Sequence, residues 1–191
     1  MKEMMRRFGV TVLALFVVAG ITISVAWAES VHNKRGPTCA DNGLTASCTG
    51  TLAGLGNFDI LVKLSTTGVG DTTCTNQGGN TAPGQNPGIP VPNISGIQVI
   101  PASNVKNGNA PYTVFTTQPP DPTPQQAGCP NPNWSATWSD IRFAGITAGF
   151  GGTSTLQVFQ CEGGTYSLQG ICSTDPVNSP DGILKLTTTI P

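Results

Sequence analysis

Large apolar side chains along this chain recur at every second position over short stretches, the period of a β-strand with one buried face. Over residues 44–52 the even positions read Leu44, Ala46, Cys48, Gly50 and Leu52. After Gly54-Leu55-Gly56-Asn57, the run Phe58, Ile60, Val62 and Leu64 alternates with Asp59, Lys63 and Ser65, and the two runs together predict a β-hairpin. Residues 68–74, rich in Gly and Thr, predict a third strand. A second hairpin is predicted over residues 96–117, where Asn107-Gly108 suits a two-residue type I′ turn. With Lys106 opposite Asn109, its register sets Ile100 across from Phe115. Pro101 and Pro111 cannot donate to a ladder, so at least one of these strands should lie at a sheet edge.

Residues 134–147 predict the longest strand. Trp134, Ala136 and Trp138 share one parity while Ile141 and Phe143 share the other. The apolar face therefore switches between Trp138 and Ile141, and a bulge near Ser139-Asp140 would carry the strand through the switch. Residues 154–161, 165–172 and 183–190 complete the set. Two segments, 75–93 and 118–133, consist mainly of Gly, Pro, Asn, Gln and Thr and admit neither a helix nor a central strand. Every candidate helix window fails on β-branched residues, Gly or Pro. The pattern predicts an all-β fold: a disulfide-stabilised antiparallel β-sandwich, Ig-like or jelly-roll-like in connectivity, with long Pro/Gly-rich loops.

The N-terminus follows a different logic. Lys2, Arg6 and Arg7 precede an apolar run over residues 8–26 that ends in Ala26-Trp27-Ala28, a small-x-small cleavage pattern. Residues 1–28 are read as a signal peptide, with an uncleaved anchor as the alternative; 29–43 as a flexible lead-in; and 44–191 as one domain. The expected location is secreted, periplasmic or at the cell surface, with no membrane association after cleavage. All six cysteines, Cys39, Cys48, Cys74, Cys129, Cys161 and Cys172, follow the cleavage site, and an even count in an oxidising compartment reads as three disulfides. Six cysteines allow many pairings; the sequential one (Cys39–Cys48, Cys74–Cys129, Cys161–Cys172) is the expectation here. Only 10% of residues are charged and the net charge is -1, with single Lys and Arg residues scattered, so nucleic acid is excluded as a partner.

The stretches Gly54-Leu55-Gly56-Asn57 with its following strand, Cys74-Thr75-Asn76-Gln77-Gly78-Gly79-Asn80-Thr81-Ala82-Pro83-Gly84-Gln85-Asn86-Pro87, Lys106-Asn107-Gly108 and Cys129-Pro130-Asn131-Pro132-Asn133-Trp134 resemble a pattern in small exported bacterial proteins of no assigned function. The resemblance covers residues 48–147. It implies a secreted β-domain and is compatible with a Cys74–Cys129 bond, but carries no activity, ligand or catalytic residue. The Cys39–Cys48 segment and the tail with Cys161 and Cys172 depart from the shorter form of the pattern.

Candidate chemistry is sparse. His32 is the sole histidine and lies in the polar lead-in, so a Ser-His-Asp or Cys-His arrangement would need that segment to fold back. Asp59, Asp71, Asp140 and Glu162 lie on or beside predicted strands, where solvent-face carboxylates are the default and a glycosidase pair the alternative. Asp41-Asn42-Gly43 reads as a turn, and residues 78–84, with no Lys and no following helix, as a loop and not a phosphate cradle. No cofactor or metal is expected, although loop carbonyls with Asp121, Asp175 or Asp181 could supply a structural calcium. Trp134 and Trp138, four apart on a strand, could form a sugar-stacking platform flanked by Asn131 and Asn133, or pack in the core. The sequence thus predicts a non-enzymatic protein acting by binding or assembly, on a cell-surface glycan or protein, through the two loops or an edge strand near Pro101. A carbohydrate-binding module using the Trp pair and a small extracellular hydrolase are the alternatives.

Overall fold

The computed structural model describes residues 31–144, 154–161 and 184–188. Their elements run β1 (His32–Asp41), β2 (Ala46–Ala53), β3 (Asp59–Thr75), β4 (Thr81–Pro83), β5 (Ile89–Ile100), β6 (Ala110–Phe115), α1 (Pro124–Ala127), β7 (Ser135–Phe143), β8 (Ser154–Cys161) and β9 (Leu184–Thr188). The described residues are mostly β, and all their strand pairings are antiparallel. One sheet has three strands in the order β1-β2-β6. The other has six and is built on β3. Along one edge of β3 lie β5, from Ile60↔Ile100 to Gly70↔Ile89, and then β4. The opposite edge takes β8 against residues 59–65 and β7 against residues 68–75, and β9 extends the sheet beyond β8.

Both sheets feed one buried cluster. Ile60, Val62 and Leu64 of β3, Ile94 and Ile100 of β5, and Leu156 and Val158 of β8 join Cys48 and Leu52 of β2 with Tyr112 and Val114 of β6. The alternation seen in the sequence is real on each of these strands, but their partners differ from those expected. The runs before and after Gly54-Leu55-Gly56-Asn57 do not form a hairpin: β2 and β3 belong to different sheets. A strand that faces another across a core shows the same period as one that pairs with it, so alternation cannot tell the two apart. The residues at 68–74 are no separate strand either; they continue β3 through an irregularity between Thr66 and Gly68, where Asn93 takes a left-handed φ of 58°.

The Asn107-Gly108 turn forms as expected, with both residues at positive φ and reciprocal backbone bonds between Lys106 and Asn109 (2.8 and 2.9 Å). The hairpin stops there. After Pro101 a 3-10 turn at Ala102–Asn104 diverts the chain, with the Ala102 amide donating to the Asp59 carboxylate (2.7 Å), and β6 pairs with β2 instead of β5. Ile100 thus sits opposite Ile60, and Phe115 opposite Ser47. The Leu55 amide donates to the Gly108 carbonyl (3.0 Å), which ties the two inter-sheet crossings together at one end of the molecule.

The expected lead-in at 29–43 is corrected as well. Residues 32–41 form β1, paired with β2 from His32↔Ala53 to Asp41↔Ala46. Its polarity reflects its place at the sheet edge, where Cys39 alone is buried. Cys39 lies directly opposite Cys48 and is bonded to it. A second disulfide joins Cys74 and Cys129, as expected, while the Cys161–Cys172 pairing and the strand at 165–172 lie outside the described residues. These two bonds point to an oxidising, non-cytoplasmic environment. No helix among the described residues is long and apolar enough to cross a membrane.

Candidate functional site

The two Pro/Gly-rich segments meet at the end of β3 remote from the inter-sheet crossings. The first begins as a tight turn in which the Asn76 side chain accepts from the Gly78 and Asn80 amides (both 2.9 Å) and Gly79 takes a φ of 78°. That turn returns the chain as β4 against Thr73–Thr75. The Gly84 amide then donates to Thr72 (2.8 Å), and the approach is so close that a Cβ at residue 84 would lie 2.0 Å from the Thr72 hydroxyl and 2.6 Å from the Ala127 carbonyl.

The second segment contains α1, a helix that the sequence reading excluded. Thr123 caps it, its hydroxyl accepting from the Gln126 amide while the Gln126 side chain accepts from the Thr123 amide. Pro124 opens the first turn, and Gly128 ends the helix at a left-handed φ of 69°. These are ordinary start and stop signals. They were legible in Thr123-Pro124-Gln125-Gln126 and Gly128, and only the shortness of the helix hides it from periodicity.

Asn86 locks the segments together. Its backbone amide donates to the Ala127 carbonyl (3.3 Å), and its side-chain amide donates to the carbonyls of Gln126 (3.0 Å) and Gln125 (3.4 Å). The Gln125 carbonyl also accepts from the Gly128 amide (3.2 Å), while the Gln126 and Ala127 carbonyls belong to the helix C-terminus, which leaves such groups without internal partners. Nothing in the sequence marks Asn86 for this part. Beneath the junction Cys74, Ala127 and Ala136 form a small buried cluster on which Cys129, Ile89 and Trp134 pack, and the Cys74–Cys129 bond fixes the second segment to β3.

The indoles separate here. Trp138 is 8% exposed, and its Nε1 donates to the Pro120 carbonyl (2.9 Å) while its backbone amide donates to Asp121 (3.2 Å). Its ring lies over Gly70, where a Cβ would come within 2.4 Å of it. Trp134 is half-buried against the small cluster. Of the two readings of this pair, Trp138 takes the core one, because the strand face that carries it is the core face, and Trp134 is partly covered. The bulge expected near Ser139-Asp140 is present: Asp140 opposes Asp71, Trp138 opposes Thr72, and Ser139 is the extra residue. Asn131 and Asn133 remain exposed in a turn, with the Asn131 carboxamide accepting from the Asn133 amide (3.0 Å).

The carboxylates near this end are engaged in holding backbone. Asp71 pairs with Arg142 and accepts from the Gly88 amide (3.2 Å), fixing the entry to β5. The Arg142 guanidinium, with help from that amide, holds the Asp71 carboxyl below the usual range against a smaller opposing effect of burial. Asp41 is pushed the other way, by loss of hydration and by the charge of Asp140, despite a bond from the Gly43 amide (2.8 Å) that makes 41–43 the expected turn. Asp59 accepts from Ala102, and Glu162 lies outside the described residues. His32 opens β1 opposite Ala53, on the sheet that does not contain β3. Asp121 is committed to Trp138, while Asp175 and Asp181 lie outside the described residues, among which no group of three or more His, Cys, Asp or Glu is placed to hold a metal ion. Comparison with family models, with curated proteins and with solved structures finds no match to this chain.

Proposed function

We propose that this chain is a non-enzymatic β-sandwich, its two sheets packed face to face, that acts in the extracellular space or at the cell surface by binding or assembly. The shared core cluster of the two sheets supports the sandwich, and the disulfides support the location. The observation that carries the binding reading is the junction of the two loops. Segments of this composition would sample many conformations alone, yet Asn86, the α1 terminus and the Cys74–Cys129 bond hold them in one. Such pre-organisation lowers the entropic cost of holding a partner. The exposed surface so formed carries Gln77, Gln85, Gln125 and Asn133, amides that both donate and accept and suit a neutral glycan or a peptide backbone on a cell-surface partner.

The test is photo-crosslinking in producing cells, with a photoreactive side chain at Gln85 or Gln125 and, as control, at Thr49, exposed on β2. Adducts from the two loop positions and none from Thr49 are expected. Equal adducts from all three, or none from any, would overturn the proposal.

A further inference from the structure

At the end of the molecule away from the joined loops, Lys34 and Arg35 stand side by side on β1. They are the only adjacent basic pair in the chain after Arg6-Arg7, in a sequence that uses charge sparingly. On a regular strand two neighbours point to opposite faces and could not share a site. Here the register changes: Asn33 pairs with Leu52 and Arg35 with Thr51, so Lys34 is an extra residue in a bulge. A bulge re-aims a side chain. Lys34 and Arg35 consequently line one open cleft of about 320 Å³, with Thr51 and Asn109 as its other walls.

The two cations are held differently. Lys34 donates from Nζ to the Asn109 carboxamide oxygen (3.2 Å), and the Asn109 amide nitrogen is in turn fixed on the Asn107 carbonyl (2.7 Å), so the tight Asn107-Gly108 turn positions the ammonium. Arg35 makes no ion pair among the described residues, where the Asp71–Arg142 pair is the one found. Among the described residues no carboxylate lines the cleft. Two like charges therefore face a shared space with donors that no described residue takes up: the guanidinium fork, two protons of the ammonium, and the Thr51 hydroxyl.

We propose that this cleft binds a phosphate-type dianion, independently of whatever the joined loops hold. A tetrahedral dianion matches the charge of the pair and offers enough oxygens to accept from Arg35, Lys34 and Thr51 together, whereas a carboxylate would be filled by the arginine fork alone. Two cations make a site for one such group and not a track for a polyanion, in keeping with the absence of a basic stripe in the sequence.

The experiment is an amide NMR titration of the full chain, as expressed and processed, with inorganic phosphate against sodium chloride at constant ionic strength. Saturable shifts centred on Lys34, Arg35, Thr51 and Asn109 are expected. Arg35→Gln and Lys34→Gln, both exposed and checked for unchanged melting, should each weaken binding about tenfold, the scale of a lost charge-assisted hydrogen bond. Acetate should bind at least about tenfold more weakly than phosphate, since it brings half the charge. Linear, unsaturating shifts, shifts that survive Arg35→Gln, or equal affinity for acetate would each overturn the assignment and leave an adventitious ion only.

Discussion

Residues 59–66 and 68–75 belong to a single strand, β3, but their surroundings differ. In the first half Ile60, Leu61, Val62 and Leu64 are all at most 1% exposed, and β5 and β8 flank them with further buried aliphatics. The second half contributes Gly68, Gly70, Thr72 and Cys74, small or polar residues whose apolar cover comes from Ile141, Phe143 and Trp138 of β7 and Val91 of β5, with the Pro/Gly-rich segments beyond. One half is held by burial, which scales with the apolar area removed from water. The other supplies little such area itself: it borrows buried side chains from β7 and β5, and toward its end is held by a covalent bond and hydrogen bonds to loop backbone. A Pro/Gly-rich region can thus be ordered with only a small core of its own when it is tied to a strand that belongs to a larger one.

Breaking the disulfide should separate the halves most clearly. Replacing Cys74 and Cys129 with Ala should cost about 4 kcal/mol in the loop-entropy model, the two being 55 residues apart. Hydrogen exchange should then rise far more at residues 76–88 and 124–129 than at 60–64; equal loss of protection in both would show that they are one unit. Leu64→Ala should cost about 3 kcal/mol and lower the denaturation midpoint read from either half, since it removes the burial on which both depend. Gly70→Ala puts a methyl into the Trp138 ring and should cost about 2 kcal/mol, visible in the tryptophan emission because the ring must move. Asn86→Ala should cost about 1 kcal/mol and show mainly as faster proteolysis within 76–88.

The smallest effect is electrostatic. The side chains of Asp71 and Arg142 are 38% and 41% exposed, so solvent screens their pair to below about 1 kcal/mol. The folded pKa of Asp71 lies below its ordinary value, so the stabilisation is present above about pH 4 and is lost as pH falls through the folded pKa. Arg142→Gln should flatten that acid limb in pH-dependent melting, and high salt should do the same to the unaltered protein.

These contrasts also explain what the sequence could reveal. The parity switch between Trp138 and Ile141 located the bulge at Ser139, because a change of buried face has no other economical cause in a continuous strand. Asn107-Gly108 located a turn because few pairs tolerate two positive φ values. Partner choice was invisible: β2 and β6 each alternate as hairpin strands would, and their true pairing is set by crossings such as Leu55 to Gly108 and Ala102 to Asp59, between residues far apart in the sequence whose meeting no local pattern marks. The candidate surface was legible as two loops and as a cysteine pair, but its lock, Asn86, acts through backbone carbonyls that carry no side-chain code.

Among the described residues every partner of β3 lies later in the chain than β3 itself, and its second edge is filled by residues 135–143 and 154–161. During synthesis β1 and β2 can close as a local hairpin within a few tens of residues. β3 cannot. From its emergence until residue 161 is available, a strand bearing Ile60, Leu61, Val62 and Leu64 waits with an open edge, and such edges are templates for pairing with other chains. The long central strand that organises the finished protein is thus also its window of greatest aggregation hazard, and a nascent chain halted near residue 150 should need a chaperone that a complete one does not.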